Sequence, residues 1–148
     1  MNTVLGRKGG HVETAWATAL ATPRQGHSSF VVVARPNLPV KPATVFVNKA
    51  DIRGERHAAL TWGAAQAGVA QGVLRAVAEG VVPREHVEDI LLIAAVWVDW
   101  AADDEDGVYR NNLQATGDAL SAGQAGRPSL DELLAVRDAP QNPFFRRG

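Results

Sequence analysis

Arg35-Pro-Asn-Leu-Pro-Val-Lys-Pro-Ala-Thr-Val-Phe-Val-Asn-Lys49 sets the architecture of this 148-residue chain. The pattern predicts a strand, a proline-stiffened turn and a second strand. Pro36, Pro39 and Pro42 each fix φ and remove an N–H donor, so this connection joins neither a helix nor a central ladder. From Thr44 the composition turns β-favouring. Alternation then sends Val45, Val47, Lys49 and Asp51 to one face. A lysine and an aspartate beside valines make a polar site at the end of an apolar surface. The plainer alternative is a strand end emerging into solvent, with Lys49 an ordinary surface lysine.

Upstream, Phe30 to Ala34 reads as the buried strand that pairs with this one. Gly26-His-Ser-Ser is a turn before it. Val12, Ala15, Trp16, Ala19 and Leu20 recur at helical spacing, and Pro23 marks the end of that helix. Asn2 to Leu5 read as the end of a further strand. Downstream, Gly54 and Gly63 bracket a short helical segment. Ala64 to Glu79 is strongly helical along Ala65, Val69, Val73, Ala76 and Val77, with Gly80 and Pro83 closing it. Ile90 to Val98 is the most apolar run and predicts a central strand covered on both faces. The acidic stretch from Asp99 starts a helix carrying Val108, Asn112, Ala115, Thr116 and Ala119 on one side. Ser129-Leu-Asp-Glu132 is a capping-box signature for a short helix to about Arg137. Phe144 and Phe145 lie in a tail expected to be extended. The element order argues α+β, a sheet packed against helices. Residues 1–126 form the expected domain, and residues 127–148 a short helix and tail.

Composition narrows function. The chain is 46% hydrophobic with net charge −1 and no cysteine. That excludes disulfides and thiolate chemistry, and gives no electrostatic footprint for nucleic acid. The longest apolar run is too short for a bilayer, which needs roughly 20 residues, and no signal peptide is expected at the start. A cytoplasmic protein fits this composition. His11, His27, His57 and His86 do not fall at metal-ligand spacing. His27, in its turn, is a candidate acid or base or else a surface histidine. The carboxylates Asp103 to Asp106 lack the spacing of a calcium loop and suit a solvated helix start. Gln66 offers a donor and an acceptor among alanines and could read a heterocycle, or simply face solvent.

The Arg35–Lys49 stretch resembles the formaldehyde-activating enzyme family. So do Trp62-Gly-Ala-Ala-Gln-Ala-Gly-Val-Ala70, Ala78-Glu-Gly-Val-Val-Pro83, Val96-Trp-Val-Asp-Trp100 and Asn112-Leu-Gln-Ala-Thr116. These segments are in register from about Gly6 to Gly123, and Asn142-Pro-Phe resembles a C-terminal extension of some members. The resemblance implies an α+β fold of the ribosomal protein S5 domain 2 type. It implies homopentamers with pterin sites between subunits. The activity implied is condensation of formaldehyde with tetrahydromethanopterin to methylene-tetrahydromethanopterin and water. The pterin is then a co-substrate, with no tightly bound cofactor and no metal. By position, the pterin-contacting residues are Asn2, Val31, Lys49, Asp51 and Gln66. Lys49 and Gln66 keep the family residue type. Val31 replaces leucine, Asn2 replaces aspartate and Asp51 replaces threonine.

The family's general-acid histidine would fall, by register, immediately before Met1, and none of the four histidines takes its place. Two readings follow. In one, the start lies upstream and the intact protein has the histidine. In the other, the chain is a divergent paralogue that binds a pterin or another small molecule without turnover. Asp51, sharing a face with Lys49, could pair with its ammonium and mask the charge a ligand would meet.

Overall fold

A computed structural model describes residues 1–142, so Phe144 and Phe145 lie outside the described residues. Four strands form the main sheet, in the order β1 (Asn2–Arg7), β6 (Ile90–Val96), β5 (Ala43–Asn48), β2 (Ser29–Val31). β1 runs antiparallel to β6, with Asn2 opposite Ala95, and β2 antiparallel to β5, with Val31 opposite Val45. β5 and β6 are parallel, with Asn48 beside Val96. Parallel neighbours need a long crossover. Here it is the helical stretch α2 (Gly54–Ala59), a π-helical turn Leu60–Ala65 and α3 (Gln66–Ala78). β6 is central, as its apolar run predicts, and ends at Val96; Trp97 is exposed while Val98 is buried.

The expected strand Phe30–Ala34 is two strands. β2 stops at Val31, and β3 (Val33–Arg35) leaves the sheet to pair with β4 (Leu38–Pro39) in a two-stranded ribbon. Val32 at the break is fully buried and bonds both flanks: its N–H donates to Thr44 O and its carbonyl accepts from Val40 N. The prolines thus sit in a peripheral ribbon, where a missing donor costs little. Gly63 does not break the helix. A single helical path runs from Gly54 to Ala78, and the glycine is absorbed in the π turn.

The two sheet faces are unlike. Phe46, Leu92, Ala94 and Val96 face the core, where α3 packs on α4 (Glu105–Gln124). Phe30 stacks on Phe46 with ring centres 4.9 Å apart. Complete burial of each such aliphatic or aromatic side chain contributes roughly 1.5–3 kcal/mol. The crossing of α3 and α4 is close because Gly68 and Gly72 carry no side chain. A Cβ at Gly72 would lie 2.6 Å from Thr116 Cβ, and one at Gly68 2.4 Å from Tyr109 O. α4 starts later than the acidic stretch suggests: Asp104 is the cap, accepting from Gly107 N at 2.8 Å. Among the described residues the helix on the opposite sheet face is α1 (His11–Ala21), whose apolar stripe of Val12, Trp16, Ala19 and Leu20 is only half-buried. α5 (Leu130–Ala135) has the expected capping box and leaves Leu130, Leu133 and Leu134 exposed. No helix among the described residues is long and apolar enough to cross a membrane.

Candidate functional site

Lys49 follows the last residue of β5, and its N–H donates to Val96 O at 2.7 Å. The lysine lines a cleft of about 400 Å³ on the α1 face of the sheet. Thr18 and Thr22 close it from α1, Arg24 and His27 from the loop, and Ser29 and Val47 from the sheet. Lys49 is exposed, and its ammonium has no ion pair among the described residues. The parallel register that sets Asn48 beside Val96 brings Lys49 next to Trp97, which is 53% exposed. An unpaired cation and an open aromatic therefore sit together at the ends of the two central strands.

Asp51 does not pair with Lys49. Its Oδ1 lies 2.9 Å from His27 Nε2, which corrects the reading that it masks the lysine. The physical reason is the packing of the turn before β2 on the end of β5. Asn48 is buried, and its amide donates to Gly26 O at 3.0 Å and Ala50 O at 2.9 Å. His27 Nδ1 meets the Asn48 carbonyl at 3.1 Å. Gly26 has φ +76°, and a Cβ there would lie 2.6 Å from Asp51 Oδ1. Both ring nitrogens of His27 are engaged, one by a backbone carbonyl and one by a carboxylate. His27 is thus neither a free acid nor a plain surface histidine. The chain at Asp51 is fixed from its other side. Trp100 Nε1 donates to Asp51 O at 2.9 Å, and the Arg53 guanidinium lies 3.6 Å above the Trp100 ring.

Gln66 stands across the edge strand from the cleft. Its Oε1 accepts from Val33 N at 2.8 Å, which orients the amide and leaves its NH₂ toward a second hollow of about 320 Å³. Phe30, Val33 and Trp62 line that hollow, and Ser29 borders both. The π turn brings Trp62 and Gln66 to this wall. Val31 is half-buried on the Lys49 side, opposite Val45. Asn2 is on that same face but at the far edge. The row Asn2, Ala95, Val47, Ser29 runs across all four strands. Asn2 is therefore roughly 10 Å from Val47 at a strand spacing of about 4.8 Å. One chain brings Lys49, Asp51 and Val31 to one face of the β2 edge and sets Gln66 on the other, while Asn2 stays apart.

The sequence model described as formaldehyde-activating enzyme matches residues 1–145. The chain belongs to the formaldehyde-activating enzyme family. It is 44% identical over 144 residues to the 5,6,7,8-tetrahydromethanopterin hydro-lyase of Methanosarcina barkeri, covering 97% of this chain and 81% of that protein. The bifunctional enzyme Fae/Hps of Methanococcoides burtonii is 38% identical over 93% of this chain. That of Archaeoglobus fulgidus is 34% identical over 99%. The chain spans 35% and 37% of the length of these two bifunctional relatives.

Within this member of the family the other histidines divide by environment. His57 is buried, accepts from Arg53 N at 3.1 Å and meets Val98 O at 3.2 Å through Nε2, which makes it a structural pin for α2. His11 and His86 are exposed. Among the described residues no three His, Asp or Glu side chains are grouped to hold a metal. Periodicity pointed to Lys49 and Asp51 but not to Arg24, Asn48 or Trp97. Those join the cleft through pairing of distant strands, which no local spacing announces.

Proposed function

We propose that this chain condenses formaldehyde with tetrahydromethanopterin, giving methylene-tetrahydromethanopterin and water. The match of a family model along residues 1–145, together with 44% identity to a tetrahydromethanopterin hydro-lyase, carries the reading. The unpaired Lys49 beside an open cleft supports it. A secondary amine of the pterin adds to formaldehyde to form a carbinolamine. Protonation of its hydroxyl releases water and leaves an iminium, and the second nitrogen closes onto that carbon with loss of a proton. Lys49 and the free NH₂ of Gln66 hold acceptor atoms of the pterin, Val31 packs against its ring, and Asn2 and Asp51 complete the contacts. The fold is of the ribosomal protein S5 domain 2 type, residues 1–126 are the functional domain, and the protein works in the cytoplasm. The family resemblance implies a homopentamer with the pterin site between subunits, and the separation of Gln66 and Asn2 from the Lys49 cleft fits a site closed between copies.

The test follows methylene-tetrahydromethanopterin formation from formaldehyde and the pterin. Acceleration over the spontaneous condensation supports the reading. Absence of both acceleration and pterin binding overturns it. A second arm places a histidine before Met1. The β1–β6 register, with Asn2 opposite Ala95, would set that residue opposite Trp97, with Lys49 one strand further on. A positioned acid is worth about 10²–10⁴-fold, so the extended polypeptide is expected to be faster by a factor in that range. Pterin binding with no turnover in either polypeptide would replace this reading by the non-catalytic one.

A further inference from the structure

We infer that His27 is a positioning residue for Lys49: by holding the Asp51 carboxylate it keeps that carboxylate off the Lys49 ammonium, which then meets its ligand unpaired. The inference rests on Lys49 as the cation that holds the pterin. Lys49 and Asp51 are two residues apart, so their Cα atoms are separated by at most about 7 Å. Both side chains are exposed, and a lysine side chain spans the remaining gap. Nothing in the local chain prevents an i, i+2 pair. In the structure the carboxylate is instead turned to His27, with Asp51 Oδ1 2.9 Å from His27 Nε2.

The backbone at Asp51 is tied on its other side. The Trp100 indole holds the Asp51 carbonyl, and Arg53 lies on that indole. The choice between His27 and Lys49 is therefore made by the aspartate side chain alone. His27 is itself held, with Nδ1 on the Asn48 carbonyl and its turn tied to β5 by the Asn48 amide. The other cation lining the cleft is Arg24, in the same loop as His27; Arg53 faces the indole. An ammonium with a carboxylate beside it offers a ligand less charge and fewer free donors, and it is less nucleophilic, because the carboxylate favours the protonated form. An exposed pair is worth up to about fivefold in an equilibrium constant. That factor sets the size of the expected effects.

Two readouts test this in the wild-type chain, His27→Ala, Asp51→Asn and the double variant. The first is the rate at which an amine-specific acylating reagent modifies Lys49, read by peptide mass spectrometry on the free protein. The second is the dissociation constant of tetrahydromethanopterin. With Asp51 present, His27→Ala is expected to slow Lys49 acylation and weaken pterin binding, each about three- to fivefold. In the Asp51→Asn background the same His27→Ala change is expected to do neither. Equal losses in both backgrounds would show that His27 only supports its turn, and unchanged acylation in His27→Ala also overturns the inference. Asp51→Asn alone guards against a His27→Ala chain that fails to fold. Lys49 acylation is expected to match wild type in it, whereas a rise of threefold or more would mean Asp51 already masks the lysine. If the wild-type chain binds no pterin, the proposed function fails, while the acylation readout still decides the role of His27.

Discussion

The residues that define the cleft differ in how they could be found. Lys49 and Asp51 are legible from alternation along one strand. Their partners are not, because Asp51 chooses His27, 24 positions earlier, through a turn whose path depends on Asn48 and Gly26. Sequence spacing favours the near lysine, and tertiary packing overrides it. Gly26 is the most exposed point of this arrangement to a single change. A side chain there meets both a positive φ and the Asp51 carboxylate at 2.6 Å. Gly26→Ala is expected to cost about 1–3 kcal/mol in a urea melt. Loss of the His27–Asp51 contact, seen in the histidine ring resonances, should accompany it. An alanine variant as stable as wild type would show that the turn tolerates another path. Lys49 is the opposite case, its side chain exposed and its ammonium without an ion pair among the described residues. Lys49→Met should leave the melt unchanged and weaken tetrahydromethanopterin binding by roughly ten- to a hundredfold, the worth of a charge-assisted hydrogen bond. Wild-type affinity in Lys49→Met would remove the lysine from the site.

At the scale of elements, strong periodicity was a reliable guide and its interruptions were not. The α3 stripe, the central β6 run and the capping box of α5 are where their patterns place them. The strand break at Val32 and the continuous helix through Gly63 were hidden, because a valine and a glycine carry no local instruction that outweighs burial and crossover geometry. Small residues on α3 carry information of another kind, the distance to α4. Gly72→Leu must push Thr116 aside in a closed crossing and is expected to cost about 3 kcal/mol, measured by chemical unfolding. A cost below about 0.5 kcal/mol would mean that α4 moves away freely. α5 is held differently. The Ser129 backbone N–H, 2.6 Å from Glu132 Oε2, together with the Ser129 hydroxyl, holds the Glu132 carboxyl below its ordinary value. A carboxyl lowered on folding stabilises at pH above its ordinary value, and that contribution is lost as pH falls through the lowered one. The α5 amide resonances are therefore expected to shift toward coil positions in acid before those of α3. Glu132→Gln should abolish that acid dependence, and an α5 that titrates identically in both proteins would count against the cap.

For the whole molecule, the decisive asymmetry is between the two sheet faces. One is sealed by α3 and α4, and among the described residues the helix on the other is α1, which has no buried residue. Val4, 50% exposed, lies on that open face in β1, and Trp97 continues it at the end of β6. The residues assigned to the pterin are spread in the same way, with Asn2 at one edge of the sheet and Gln66 behind the other. Within a single copy the Lys49 cleft and the Gln66 hollow are separate, and neither is lined by both residues. Association that covers the open face would remove apolar surface from water and bring one copy's edge to another's cleft, so assembly and activity should be lost together. Val4→Glu puts a charge on the β1 edge of that face without touching the core between the sheet and α3. The variant is expected to keep its circular dichroism spectrum and to sediment as a monomer, against the assembly of five proposed for the wild-type chain. Its rate of methylene-tetrahydromethanopterin formation should fall at least tenfold, recovering in part as protein concentration is raised and mass action restores contacts. A monomeric Val4→Glu chain with wild-type turnover would place the entire site within one copy and break the link between the open face and the chemistry.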